Sequence, residues 1–168
     1  SQSSGLGDVY TRQNNAWGVK LIFEHGRVIA GTPGVLLTEV VRVKRGLNNP
    51  FVIVDAAMND LARPALYGAY HHFEAVTPTG ESMIANIVGP ICETGDTFAR
   101  DRECDLVKSG DLAVFRTAGA YGATMASSYN SRGFVAETLV DGDKFAVVAD
   151  RVGADSFIHA ERVPDWLE

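Results

Sequence analysis

Apolar and polar residues alternate along several short runs of this chain, and turn-forming residues separate the runs. Residues 35–44 (VLLTEVVRVK) have the period of two expected of a β-strand, with one face much more apolar than the other. Two β-branched runs, residues 51–57 and 82–89, lie between asparagines and prolines and predict buried strands. Residues 111–116 add a further candidate strand.

A β-hairpin is predicted near the C-terminal end. Residues 134–140 and 144–150 both alternate, and the loop between them contains Asp141 and Gly142. An Asp-Gly pair between alternating runs is a strong local signal for a tight hairpin turn.

Residues 59–70 depart from the strand pattern and predict one short helix. Asn59 or Asp60 is suited to cap it, and Pro64 falls early enough to be tolerated in the first turn. Its apolar positions are Leu61, Leu66, Tyr67 and Tyr70. Six or more strands and one helix predict a mainly β fold, a mostly antiparallel barrel or sandwich.

Composition limits the domain organisation. The chain has 168 residues, of which 46% are hydrophobic, so it can bury a core. An eight-stranded α/β barrel needs roughly 250 residues and is therefore not expected here. Residues 1–17 are polar and predict a flexible arm, which leaves residues 18–168 as a single β domain.

Charge and segment composition limit the partners. Fifteen basic against 21 acidic residues give a net charge of −6, and no basic run suggests a nucleic-acid partner. No apolar stretch is long enough for a membrane span and no signal peptide is recognisable, so we expect a cytoplasmic protein. Two cysteines without a Cys-x-x-Cys pair predict neither a disulfide framework nor zinc. The adjacent His71 and His72 have no third ligand at a useful spacing, so no metal is predicted.

Four segments carry residues suited to chemistry, and each also has an ordinary structural explanation. Residues 24–27 (EHGR) combine a carboxylate, a glycine and a cation, or form a plain turn. Arg63 and Tyr67 share a helix face and are able to grip one anion, or are a surface pair. Cys92 precedes an acid and a turn, although a buried free cysteine is commoner. Residues 118–132 carry little bulk, so the backbone is able to approach a ligand that Tyr121 contacts, unless the run is only a closely packed strand.

In this order, these segments resemble the C-terminal part of the diaminopimelate decarboxylases, pyridoxal-phosphate enzymes of lysine biosynthesis. The resemblance runs from about residue 18 to residue 150. It is carried by KLIFEHGRVIAG, GVLLTEVVRVK, FVIVDAAMNDLARPALYGAYHH, GPICETGDTFARDR and GDLAVFRTAGAYGATMASSYNSR. It implies a Greek-key β barrel or sandwich, with residues 18–30 as the end of an α/β barrel strand and its loop.

The resemblance implies a set of cofactor contacts. Glu24 would face the pyridine nitrogen of pyridoxal phosphate and keep it protonated, so that the ring accepts electrons. Gly26 and Arg27 would contact the cofactor phosphate, and Tyr121 would also reach the cofactor.

It also implies how meso-diaminopimelate is bound. Arg63 and Tyr67 would hold the distal carboxylate, Glu93 the distal ammonium, and Arg27 would lie close to the substrate. Cys92, reaching over from the partner subunit of a homo-oligomer, would donate a proton.

Three interpretations follow from these residues. The first is the substrate-recognition and dimerisation part of such a decarboxylase, inactive and at most weakly cofactor-binding on its own, because no lysine here matches the one that holds the cofactor. The second is a β module that serves only folding or self-association. The third makes Cys92 a nucleophile activated by a histidine, as in thiol hydrolases.

Overall fold

One six-stranded sheet dominates the computed structural model, which describes Gly18, Lys20, Ile22 and residues 24–167. Its strands are β1 (Val35–Lys44), β2 (Phe51–Val54), β3 (Phe73–Ala75), β4 (Ser82–Val88), β5 (Thr97–Asp105) and β6 (Leu112–Arg116). Their spatial order is β3-β6-β1-β2-β4-β5. Neighbouring strands are antiparallel except for β2 and β4, which pair in parallel. The predicted mainly β class is confirmed.

The sheet curls until its two edge strands meet. The backbone amide of Ala75, at the end of β3, donates to the carboxylate of Asp105, at the end of β5, over 2.8 Å. Inside, the ring of Phe115 lies 5.1 Å from that of Phe73 and 4.4 Å from that of Phe98, centroid to centroid. Rings from three strands therefore pack together in one nearly closed, barrel-like core.

The predicted strand at residues 35–44 is confirmed as β1, but its more apolar face is the outer one. Thr38 and Val40 are buried, whereas Val35 and Leu37 are about half exposed. An irregularity in the pairing with β2 between Val40 and Arg42 then resets the alternation. Among the described residues, the outer apolar face of β1 is largely exposed.

The predicted helix is present but shorter and starts later. It spans Arg63–Tyr67 and ends at Gly68, whose φ of 60° suits glycine. Asn59 and Asp60 do not cap it; the position before the helix is Ala62, with no side-chain cap. The Asp60 carboxylate instead accepts a hydrogen bond from the Ala57 amide, within the preceding turn. We label this helix α2, because a helical turn at Arg27–Ala30, α1, precedes it; neither α1 nor α3 (Asp155–Ile158) was predicted.

The C-terminal hairpin is confirmed. Its strands, β7 (Glu137–Asp141) and β8 (Lys144–Ala149), join through Gly142, whose φ is 61°, and Asp143. Nearly every residue of this hairpin is exposed, including Leu139 and Phe145.

Strands β3 and β5 were not predicted. In β5 the residues are largely charged, and a break in the pairing with β4 comes beside Asp101, whose φ is 46°. The irregularity disrupts the alternation that a sequence pattern needs. The predicted arm at residues 1–17 lies outside the described residues, and its separation from a domain at 18–168 stays a prediction.

Candidate functional site

An arginine lies between two tyrosine rings at the N-terminal end of α2. The Arg63 guanidinium carbon is 5.8 Å from the ring centroid of Tyr67, one helical turn away, and 5.6 Å from that of Tyr121. Both distances fall within the range in which a guanidinium is attracted to an aromatic face. The two rings are about half exposed or more. The arrangement holds a cation in place at the surface while leaving two phenol groups accessible.

Tyr121 has an unusual backbone conformation for a bulky residue. Its φ is 60°, in the left-handed region that non-glycine residues seldom occupy. The segment that follows is tied to the turn before α2, because the Asn59 side-chain amide donates to the carbonyls of Ser127 (2.8 Å) and Tyr129 (2.9 Å). Surrounding structure thus fixes the placement of Tyr121 beside Arg63.

Close backbone packing brings the EHGR loop to the same place. A side chain on Gly34 would lie only 2.2 Å from the Cα of Gly119, so only glycine fits there. The Ala118 amide donates to the Gly34 carbonyl over 2.8 Å. As a result Gly26 lies beside Tyr121, whose hydroxyl would be 3.6 Å from a Cβ on Gly26. Residues 118–132 form loops with two short 3-10 turns, Ala123–Met125 and Tyr129–Ser131, so the alternative of a closely packed strand is wrong.

Arg27 and Arg63 each place a positive charge near His71. Burial lowers the pKa of His71, and the nearby charges of Arg63 and Arg27 lower it further, against the opposing effect of a hydrogen bond to Arg116. Arg27 and Arg63 therefore both lie within electrostatic reach of one buried imidazole. Two guanidinium groups beside two phenols suit anionic groups such as carboxylates and phosphates.

Cys92 and Glu93 lie on a separate, exposed loop. The Cys92 sulfur accepts a hydrogen bond from the Asn130 side chain at 3.7 Å, and the Glu93 carboxylate accepts one from the Gly95 amide at 3.1 Å. The bonding partner of the thiol is thus an amide and not a histidine, which disfavours the thiol-hydrolase interpretation.

A buried carboxylate that the sequence did not mark holds this loop. Asp96 is 3% exposed and accepts hydrogen bonds from the amides of Met58 (2.7 Å) and Ile91 (2.8 Å). A side chain on Gly89 would meet the Asp96 carboxylate at 2.2 Å, so Gly89 makes room for it. Burial raises the pKa of Asp96, although the two hydrogen bonds and the charge of Arg132 act to lower it. A Gly-Asp turn in the sequence gave no sign that this carboxylate points inward.

A second residue that the sequence did not mark joins three segments. The Arg132 guanidinium donates to the Asp55 carbonyl over 2.8 Å and lies 3.7 Å from the buried Asp60 carboxylate. Arg132 thereby ties the end of the 118–132 run to the turn before α2.

The structure gathers the predicted residues into two groups. Gly26, Arg63, Tyr67 and Tyr121 meet, with Arg27 near them, while Cys92 and Glu93 stand together on their own loop. A groove of about 330 Å³ between α2 and the strand β5 reaches from Pro64 to Thr94 and Gly95 of that loop. In the part of the chain that the structure describes, no hydrogen bond or ion pair joins the two groups. Glu24 is exposed beside Gly26.

The two adjacent histidines have separate partners. His71 bonds to the Arg116 carbonyl, whereas His72 lies 3.3 Å from the Glu74 carboxylate. Among residues 24–167 and the three described before them, no cluster of three metal-binding side chains occurs. Within the same residues, none of the helices has the length and apolar character to cross a membrane.

Comparison with known proteins identifies relatives across most of the chain. Residues 28–119 match the family model for the C-terminal sheet domain of pyridoxal-dependent decarboxylases. The chain is 50% identical over 161 residues to the diaminopimelate decarboxylase of Zymomonas mobilis, covering 96% of this chain and 38% of that protein. The Neisseria meningitidis serogroup A diaminopimelate decarboxylase is 56% identical over 134 residues, covering 79% of this chain and 33% of the relative.

Solved structures agree. The diaminopimelate decarboxylase of M. jannaschii in complex with L-lysine superposes with a TM-score of 0.86 at 35% identity, covering 95% of this chain and 38% of that one. The Helicobacter pylori diaminopimelate decarboxylase, also with L-lysine, has a TM-score of 0.75 at 40% identity, covering 81% and 34%. The chain thus spans between a third and two fifths of the length of these relatives.

Proposed function

The chain belongs to the pyridoxal-dependent decarboxylases, whose C-terminal sheet domain it contains, and we propose that it is the substrate-recognition part of a diaminopimelate decarboxylase. The reaction releases carbon dioxide from meso-diaminopimelate and leaves L-lysine. The observation that carries the proposal is the placement of Arg63 between Tyr67 and Tyr121, next to Gly26 and with Arg27 nearby. The names of the relatives support the choice of substrate.

Arg63 and Tyr67 bind the carboxylate of the substrate that is not lost. The rings hold the Arg63 guanidinium in place, so its donors are oriented before the substrate arrives. The Tyr67 hydroxyl, exposed one turn along α2, donates to the same carboxylate. Glu93 supplies the opposite charge for the ammonium group at that end of the molecule.

The residues present fit pyridoxal phosphate. Next to Gly26, where the absence of a side chain leaves space beside the Tyr121 hydroxyl, Arg27 and Tyr121 provide donors for the phosphate. Glu24 would supply a carboxylate that accepts a hydrogen bond from the pyridine nitrogen and so keeps that nitrogen protonated. When bound, the cofactor supplies the electron sink for the bond that breaks as carbon dioxide leaves.

Cys92 holds a proton on its sulfur for the carbon from which carbon dioxide departs. Within the described residues no hydrogen bond or ion pair connects its loop to the cluster around Arg63, and we propose that it serves the site of a second copy in a homo-oligomer. Asn130 orients the thiol through its 3.7 Å hydrogen bond.

Reconstitution tests the proposal. The chain is assayed for carbon dioxide release from meso-diaminopimelate with added pyridoxal phosphate, alone and mixed with the part of the Zymomonas mobilis enzyme that it does not span. We expect no release from either piece and measurable release from the mixture. If the two pieces bind each other but release nothing, the chain is only a folding or self-association module, and the proposed function is wrong. Release by the chain alone would show that it is active without the part it does not span, and the proposal that it only recognises the substrate would be wrong.

A further inference from the structure

His71 has one ring nitrogen engaged and the other buried without a partner. The side chain is almost wholly enclosed, since the residue is 4% exposed. Its Nδ1 lies 3.0 Å from the backbone carbonyl of Arg116. A carbonyl only accepts, so Nδ1 carries the proton and donates, which leaves a lone pair on Nε2. Within the described residues that buried Nε2 has no hydrogen-bond partner.

Arg63 has a buried donor that matches this unpaired acceptor. Its Nε–H, a donor, is also buried and has no partner among the described residues. Buried polar groups are rarely left unpaired, because each costs free energy. One segment connects the two residues. His71 hydrogen-bonds to the Arg116 carbonyl. Five residues later comes Tyr121, whose ring centroid lies 5.6 Å from the Arg63 guanidinium carbon.

We propose that His71 is a positioning residue for Arg63: its Nε2 accepts a hydrogen bond from the Arg63 Nε–H when the site is occupied. This inference rests on the proposed function, because it assigns the remaining donors of Arg63. With Nε–H taken by the imidazole, the two terminal nitrogens form a fork aimed at a carboxylate. His71 thereby determines which edge of the guanidinium the substrate meets.

The surroundings of His71 favour the neutral ring that this role needs. Arg63 of α2 and Arg27 of α1 lie near it, and the Arg102 guanidinium of β5 donates to the His71 carbonyl at 3.4 Å. On the next strand the Glu74 carboxylate is already engaged by Arg116 and His72. Burial and the charges of Arg63 and Arg27 lower the pKa of His71, which favours the neutral ring with its acceptor on Nε2.

The first experiment measures the ring nitrogens of His71 by NMR in the 168-residue chain. We expect the neutral tautomer with the proton on Nδ1. Arg63→Gln should raise the pKa of His71, whereas Arg45→Gln, at an exposed arginine between β1 and β2, should leave it unchanged. A proton on Nε2 in the neutral ring, or a pKa that ignores Arg63→Gln, would overturn the proposal.

The second experiment compares two substitutions in the reconstituted enzyme. His71→Gln places an acceptor near the Nε2 position, whereas His71→Asn keeps only a donor for the Arg116 carbonyl. We expect His71→Asn to raise KM for meso-diaminopimelate roughly tenfold with little change in kcat, and His71→Gln to recover most of that loss. A histidine that serves only the fold predicts the reverse order, which would refute the role.

The two experiments separate the failure of this inference from the failure of the proposed function. If the reconstituted wild type releases no carbon dioxide, the proposed function fails, and the NMR experiment still decides whether His71 and Arg63 are coupled. If wild type is active but the two variants rank in the reverse order, the positioning role alone is wrong.

Discussion

The Arg63 guanidinium carbon lies 5.6 Å from the ring centroid of Tyr121, although 58 positions separate the two residues along the chain. The contact joins α2 to the glycine-rich segment after β6, and with it the EHGR loop that packs on that segment. Sequence spacing alone could pair Arg63 only with Tyr67. The fold adds the second ring, which holds the Arg63 guanidinium in place at the surface, as the proposed role in substrate recognition requires.

The close approach of Gly34 and Gly119 should tolerate no side chain. Gly34→Ala would place a Cβ 2.2 Å from the Cα of Gly119, and relieving that overlap should cost about 1–3 kcal/mol of unfolding free energy. Urea denaturation of the chain measures this cost. Gly153→Ala is the matched control, because a Cβ there meets nothing within 4 Å. Equal stabilities for the two variants would show that the contact does not constrain the segment.

The buried carboxylate of Asp96 should give stability a pH dependence of definite sign. Burial raises the pKa of Asp96 above its ordinary 3.8, so between these two pKa values the folded state binds more protons at this group than the unfolded state does. Its contribution is therefore fully present below the ordinary carboxyl pKa and is lost as pH rises through the raised value. Asp60, whose pKa burial also raises, acts in the same direction.

Asp96→Asn tests this sign. The substitution removes a titrating group, so unfolding free energy should fall less steeply with rising pH than in wild type. It should also lower stability by about 1–3 kcal/mol, because an amide cannot accept both backbone hydrogen bonds with the same two atoms. Urea denaturation between pH 4 and pH 7 measures both effects. A steeper fall in the variant would contradict the assigned cause.

The two cysteines should differ sharply in reactivity. Cys92 is exposed, whereas Cys104 is buried in the core and burial, with the charge of Asp105, raises the pKa of its thiol to about 11. Iodoacetamide at pH 8 should therefore add one label to the folded chain, on Cys92, and two labels in urea. Cys92→Ser should take up none while folded. Labelling of Cys104 in the native chain would mean that the sheet opens at β5.

β-branched runs between turn-forming residues predicted β2 and β4, and alternation along the chain was sufficient to predict β1 and the hairpin. It was insufficient for β5, where the backbone irregularity at Asp101 interrupts the period. The helix was located from its apolar positions, but its start was misplaced because Asp60 bonds within the preceding turn.

Some residues of the candidate site were also predictable from the sequence, and others were not. Arg63 and Tyr67 were recognisable as one face of a helix, whereas residues 24–27 and Tyr121 were only marked as suited to chemistry and received their expected roles from the family resemblance. The structural roles of Asp96, Arg132 and His71 carried no sequence signal, since the adjacent histidines His71 and His72 raised only the question of a metal. Their importance depends on burial and on partners far away in the chain, as with Asp96 and Met58, which are 38 positions apart.

The central claim, that Arg63 binds the retained carboxylate of the substrate, is tested most directly by substrate preference. In the enzyme reconstituted with the missing part of the Zymomonas mobilis protein, kcat/KM is measured for meso-diaminopimelate and for D-lysine, which has the configuration of the carbon that loses carbon dioxide but lacks the retained carboxylate. Wild type should strongly prefer meso-diaminopimelate. Arg63→Gln should reduce that preference roughly ten- to a hundredfold, chiefly through KM, while Arg45→Gln preserves it. An unchanged preference in Arg63→Gln would show that another group reads the carboxylate and would contradict the account.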